Sequence, residues 1–92
     1  MSTIRIPPVL RAQAGGAKSL VLGGATVGDV LEALVAAHPG LRAQLFTDEG
    51  SLNRFVNVYV DGQDVRYTGG LATPVGERDE VVILPAMAGG AG

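Results

Sequence analysis

The chain has 92 residues, a net charge of −2 at neutral pH and 47% hydrophobic residues. This length predicts one domain with a modest core, and the hydrophobic content excludes a chain that stays disordered. The absence of cysteine excludes a disulfide framework, a thiol nucleophile and a cysteine-based metal site. The seven lysine and arginine residues are scattered from Arg5 to Arg78, which argues against nucleic acid as the main partner.

The apolar runs are far too short to cross a bilayer, so no membrane partner is expected. The N-terminal residues also lack the charged start and long apolar middle of a signal peptide. Both observations predict a cytoplasmic protein.

The N-terminal part predicts a β-hairpin. Residues 3–6 alternate between polar and apolar side chains, which is typical of a strand with one buried face. The prolines at 7–8 limit this strand to a sheet edge or a strand end, and residues 9–10 could extend it. The glycines at 15–16 supply a turn with positive φ, and residues 18–22 form the second strand.

The next segment predicts an amphipathic helix. Thr26 is a good N-cap, and Asp29 stands where a carboxylate meets the free N–H groups of the first turn. Residues 38–40, His-Pro-Gly, end the helix, and residues 41–46 form a short second helical turn. The apolar stripe of the helix consists of Val27, Val30, Leu31, Leu34 and Val35.

The C-terminal half predicts strands. Residues 54–60 alternate, with valines on one face and Phe55, Asn57 and Tyr59 on the other. An Asp-Gly pair at 61–62 predicts a hairpin turn into a short strand at 64–67. The last strand covers residues 81–84. One striped helix must cover one face of a mixed sheet, so the fold class is an α+β roll.

The chain end joins a strand to residues with almost no side chain. Pro85 has no N–H to donate, so regular pairing should stop there and the domain should occupy residues 1–85. Residues 86–92 are predicted to form a flexible glycine-rich tail, because Gly89 and Gly90 have no Cβ and can enter a narrow slot. This favours insertion into another protein's active site; the alternative is a frayed chain end.

The element order resembles ubiquitin-like β-grasp folds, in which one main helix packs across a mixed sheet of four to five strands. Residues 54–66 and 79–90 resemble the central hairpin and the chain end of the ThiS/MoaD family of prokaryotic sulfur carriers. Residues 69–73 and 84–86 resemble the CysO subfamily, which serves actinobacterial cysteine synthesis. The resemblance covers nearly the whole chain.

This resemblance implies a carrier that is not an enzyme and binds no cofactor itself. An E1-like adenylating and sulfurtransferase enzyme would use ATP to adenylate the carboxylate of Gly90, and sulfur would displace AMP to leave a thiocarboxylate. The acceptor would be a PLP-dependent cysteine synthase, or an enzyme of molybdopterin, thiamin or thio-sugar synthesis. The alternatives outside this class are a ubiquitin-like protein modifier and a plain interaction module.

The resemblance also implies roles for the tail residues. Met87, Ala88 and Gly89 would thread the partner's active site together with Gly90. Family members are active when they end at the second glycine, whereas Ala91-Gly92 follows here. A JAMM-type metalloprotease would remove these two residues first, unless they are foreign to the natural chain.

A partner-binding surface is predicted on the outward sheet face. If Val81 and Ile83 point to the helix, Val82 and Leu84 point away from it. Phe55 and Tyr59 would join them in an exposed apolar patch, which is typical of a protein-binding surface. The alternative is that a loop or the tail covers these side chains.

No catalytic residue or metal ligand is expected. His38, the single histidine, stands before a proline at a helix end and has no ligand partner at suitable spacing, so a structural or solvated role is expected. Ser19 and Ser51 lack an acid–base context for nucleophilic catalysis.

Overall fold

The computed structural model describes residues 1–85. The predicted tail, residues 86–92, lies outside the described residues. In chain order the elements are β1 (Ser2–Arg5), β2 (Ser19–Leu22), α1 (Val27–Ala37), α2 (Arg42–Leu45), β3 (Val56–Val60), β4 (Gln63–Asp64) and β5 (Glu80–Pro85).

The strands form one mixed sheet in the order β2-β1-β5-β3-β4. β1 and β5 are parallel, and the other neighbouring pairs are antiparallel. The N-terminal hairpin, the helix and the central strand therefore occupy the positions of a β-grasp fold, which confirms the predicted α+β class. β5 lies in the middle of the sheet and carries the chain towards the tail.

The core lies between α1 and one face of the sheet. The five predicted helix positions, Val27 to Val35, are all buried, as are Ile4 and Ile6 from the N-terminal segment. From the C-terminal strand, Val81 and Ile83 are 0% and 1% exposed. The apolar side chains of α1 thus pack against the inward-facing side chains of the strands in one layer, and burial of this layer is the main source of stability in a domain of this size.

Helix α1 begins and ends where the sequence predicts, after the N-cap Thr26 and before His38. Thr26 Oγ1 accepts a hydrogen bond from the Asp29 N–H at 3.2 Å, and Asp29 Oδ2 accepts one from the Ala25 N–H at 3.3 Å. The helix ends at Ala37, and the His38 N–H donates to Leu34 O at 2.9 Å. The caps satisfy backbone groups that an uncapped helix would leave without partners.

Two predicted strand extensions are wrong. Residues Pro8–Leu10 form a 3₁₀ turn and do not continue β1, because the double proline fixes φ and removes N–H donors. The strand predicted at 64–67 is reduced to Gln63–Asp64. Asp64 Oδ1 accepts from the Arg66 N–H at 2.9 Å, and this bond bends the chain into a second 3₁₀ turn at Val65–Tyr67.

Candidate docking face at the base of the C-terminal tail

The base of the tail is held within the sheet. β5 pairs with β3 up to Val56↔Pro85, whereas its pairing with β1 ends at Arg5↔Val82. The last residues of β5 therefore have a strand neighbour on one side only. The predicted tail residues, which lie outside the described part of the chain, are Met87, Ala88, Gly89, Gly90, Ala91 and Gly92.

The side chains of β5 alternate between the core and the outer surface of the sheet. Ile83 is 1% exposed, whereas its neighbour Leu84 is 44% exposed and Val82 is half-buried. This is the predicted alternation. Leu84 carries a large apolar surface to solvent directly before the residues that lead into the tail.

The outer face is the surface formed by the four predicted partner-binding residues, Phe55, Tyr59, Val82 and Leu84. Tyr59 and Val82 are direct cross-strand neighbours in the β3–β5 pair. Leu84 lies opposite Asn57, a polar residue that the sequence places on this face but that is not among the predicted partner-binding residues. Phe55 precedes β3 and is 51% exposed. The outer face is thus a half-exposed apolar surface interrupted by one amide.

Arg66 organises the segment that carries Phe55. Its guanidinium donates to Asn57 Oδ1 at 2.6 Å and to the carbonyl oxygens of Val56 and Asn53 at 2.7 and 3.2 Å. The Phe55 N–H donates to Asn53 Oδ1 at 2.9 Å. Sequence reasoning missed this role; the Asp-Gly turn was the available signal, since it folds residue 66 back along β3.

A basic groove opens beside β5, next to Leu84. Its volume is about 420 Å³, and its lining includes the cations Arg5, Arg11 and Lys18 but no acidic residue among the described positions. The β1–β2 register pairs Arg5 with Ser19, and the Ile6 N–H donates to Lys18 O at 2.9 Å. Folding therefore brings together charges that are scattered in the sequence. The hairpin register was the signal that could have revealed them.

The acidic turn before β5 has a structural role. Asp79 Oδ2 accepts from the Gly76 N–H at 2.7 Å, and this bond, followed by the neighbouring Asp61 side chain, lowers the pKa of Asp79 below its ordinary value of 3.8. Asp61 Oδ1 accepts from the Glu80 N–H at 3.0 Å. These carboxylates cap the backbone at the start of the strand that carries the tail.

The described residues offer neither a metal site nor a membrane-spanning helix. Within residues 1–85 no cluster of three or more His, Cys, Asp or Glu side chains could hold a metal ion. No helix in that part is long and apolar enough to cross a membrane. His38 packs beside the turn at Gly15, and a Cβ added to Gly15 would lie 3.3 Å from the Cε1 atom of His38. This packing accords with the structural role expected for it.

Comparison with known proteins gives consistent matches. The model of the ThiS family matches residues 4–90. The sulfur carrier protein CysO of Mycobacterium tuberculosis is 47% identical over 90 residues, which cover 96% of this chain and 97% of the relative. Small archaeal modifier protein 1 of Haloferax volcanii is 40% identical over 82 residues, covering 86% and 90% of the two chains.

A solved structure matches equally well. A chain in the crystal structure of the Amycolatopsis orientalis BexX/CysO complex superposes with a TM-score of 0.88 at 43% identity. The match covers 94% of the present chain and 96% of that chain. The similarity therefore spans the sheet, the helix and the strand that leads to the glycine pair.

Proposed function

The chain belongs to the ThiS family, and on that premise we propose that it is a sulfur carrier that bears sulfur on the carboxyl group of Gly90. The observation that carries this proposal is the family match itself, which runs through residue 90 and so includes the glycine pair. Proteins of this type are small carriers of a substrate and not enzymes. The chemistry is therefore supplied by partners.

Activation is needed because a carboxylate is anionic and lacks a leaving group. A partner of the E1 type uses ATP: a carboxylate oxygen of Gly90 attacks the α-phosphorus, and pyrophosphate leaves. A sulfide nucleophile then attacks the acyl carbon and AMP leaves, so that one oxygen is replaced by sulfur. This chain has no cysteine, and the sulfur on such a carrier sits on the terminal carbonyl and not on a side chain.

The fold suits delivery of such an end. Gly90 follows Pro85 by five residues, which span at most roughly 17 Å when extended. The central strand β5 provides an ordered base for them, since it pairs with β1 up to Val82 and with β3 up to Pro85. An ordered base and a narrow end reduce the freedom that must be lost when the reacting carbonyl is positioned.

Cysteine synthesis is the proposed downstream use, and the similarity to CysO sulfur carriers supports it. In cysteine synthesis the thiocarboxylate sulfur would attack aminoacrylate on a PLP-dependent synthase, and a protease would later release the new cysteine. Supply of molybdopterin, thiamin or a thio-sugar product is the alternative within this class. The complex of a CysO relative with BexX supports docking to a partner enzyme.

Processing precedes activation in this proposal. Because Ala91 follows Gly90, the Gly90–Ala91 peptide bond must be hydrolysed before Gly90 has a free carboxylate. A JAMM-type metalloprotease is the proposed enzyme for this step. A chain that is trimmed to Gly90 should be activated directly, whereas the full 92-residue chain should require the protease.

Protein modification is the second candidate function. A Haloferax volcanii relative at 40% identity is named a small archaeal modifier protein. The same adenylate at Gly90 would in that case be attacked by a lysine amine, and AMP would leave as an isopeptide bond forms. The two functions share activation and differ in the nucleophile.

The test uses the chain trimmed to Gly90 with ATP, an E1-like enzyme and sulfide, followed by intact mass measurement. Exchange of one oxygen for one sulfur identifies a carrier, and a ladder of conjugates with added protein identifies a modifier. An unchanged mass would refute both. Gly90→Ala should sharply reduce formation of the AMP adduct, because the added methyl group crowds the partner's channel. Gly23→Ala is the matched control, since a Cβ there meets nothing within 4 Å.

A further inference from the structure

The basic groove lies where a docked partner would reach the base of the tail. We infer that it receives an acidic, extended segment of the activating enzyme, with carboxylates facing Arg5, Arg11 and Lys18. The choice of enzyme rests on the proposed function, whereas the acidic chemistry of the occupant rests on the groove alone. The groove shares Val82 and Leu84 with the outer face and adds three cations that the apolar outer face does not contain.

The charges of the groove are available to a partner. Among residues 1–85, neither Arg11 nor Lys18 takes part in an ion pair. Arg11 Nε donates to Ile6 O at 3.1 Å, which fixes the side chain, while its remaining guanidinium donors have no hydrogen-bond partner among the described residues. Arg5 pairs with Glu80 at 3.2 Å, but both side chains are about half exposed or more, so this weak bond is easily exchanged.

The shape of the groove favours an extended segment. β1 ends at Arg5, two residues before Pro7, whereas β5 continues to Pro85, so a strip beside the end of β5 has no strand neighbour from β1. The lining combines the apolar side chains of Pro7, Val82 and Leu84 with the three cations. An extended peptide with alternating acidic and apolar residues places its carboxylates on one side, which matches this lining.

Other occupants fit less well. The chain's own residues 86–92 contain no acidic side chain and bring at most one carboxylate, at the chain end, to a groove lined by three cations. The lining has only three cations, and the whole chain is net negative, which disfavours the long phosphate backbone of a nucleic acid. A protein segment with a few carboxylates matches both the number of charges and the apolar walls.

The groove is tested first without the enzyme, on the full isotope-labelled chain by amide NMR. The probe is a short peptide of alternating glutamate and leucine, and its control has lysine in place of glutamate. We expect the acidic peptide to shift the amides of Arg11, Lys18 and Leu84, and the lysine peptide to leave them unchanged. Equal shifts with both peptides would overturn the inference.

A matched pair of charge reversals gives the second readout. Lys18→Glu and Arg78→Glu change the net charge equally, but Arg78 is exposed on the turn before β5 and does not line the groove. Lys18→Glu should abolish the peptide shifts and weaken binding to the E1-like enzyme on the order of tenfold at low salt. Arg78→Glu should preserve both, and equal losses in the two variants would refute a specific groove.

The two proposals fail separately. If the wild-type chain gains sulfur while Lys18→Glu binds the enzyme as tightly as wild type, the groove inference is wrong and the carrier function stands. If the acidic peptide binds the groove while no sulfur is gained, the carrier function is wrong and the acidic specificity of the groove stands. Unchanged amide spectra away from residue 18 verify that Lys18→Glu is folded.

Discussion

Leu84 and Ile83 are adjacent on β5, and substitutions at these two positions test partner docking and folding stability separately. Leu84 is 44% exposed on the outer face, whereas Ile83 is 1% exposed in the core. We therefore expect Leu84→Asp to weaken binding of the activating enzyme more than it lowers the melting temperature. Ile83→Ala should do the opposite.

The magnitudes follow from the exposed fractions. Full burial of a leucine side chain contributes about 1.5–3 kcal/mol, so the part still exposed at Leu84 can contribute on the order of 1 kcal/mol to binding. An unpaired carboxylate in the desolvated interface costs roughly 1–3 kcal/mol more. The sum, about 2–4 kcal/mol, corresponds to a loss of affinity of roughly 30- to 700-fold.

Folding stability should be lowered more by Ile83→Ala than by Leu84→Asp. Leu84→Asp removes only partly buried contacts and should cost about 1 kcal/mol, or roughly 4–8 °C in melting temperature for a domain of this size. Ile83→Ala leaves a cavity in the core and should cost about 2–5 kcal/mol.

Thermal unfolding by circular dichroism and calorimetric titration with the E1-like enzyme measure the two quantities on the same samples. The reasoning fails if Leu84→Asp melts below Ile83→Ala while its affinity is unchanged. Leu84 would then act as a core residue and the outer face would not be a docking surface.

Three further predictions concern the scaffold. Gly24→Ala should lower the free energy of unfolding, measured with urea, by about 2–4 kcal/mol, because φ is +155° and an added Cβ would lie 2.8 Å from the Val30 nitrogen. Gly23→Ala should leave the free energy of unfolding nearly unchanged, and equal effects of the two substitutions would contradict this prediction. Arg66→Ala should lower the free energy of unfolding by about 1–2 kcal/mol and shift the amide signals of residues 53–57. If the Arg66 side chain were only solvated, the substitution would have neither effect. Asp79 has a lowered pKa, so its ionised form stabilises the fold above pH 3.8, and this contribution is lost as the pH falls through the folded-state pKa. Asp79→Asn should therefore melt below wild type at pH 7, and the difference should shrink below pH 3.8; a constant difference would exclude the linkage.

The local elements were largely predictable because their signals are short-range. The cap at Thr26, the buried helix stripe and the turn at 61–62 each depend on residues within a few positions of one another. The wrong extensions at residues 9–10 and 64–67 also have local causes. Proline geometry in one case and the Asp64 side chain in the other outweigh a favourable strand composition.

The amino-acid sequence by itself determined the α+β class, the buried faces and the glycine pair, because periodicity and side-chain size report directly on burial and steric access. The β-grasp topology was implied by the family resemblance, and the strand order of the sheet agrees with it. Tertiary structure alone decided which distant residues meet. The pairing of β1 with β5 brings Arg5 beside Val82, and the β1–β2 register adds Lys18 to the same groove. Strand order and register arise from non-local pairing, so charges that are scattered along the chain become neighbours only after folding.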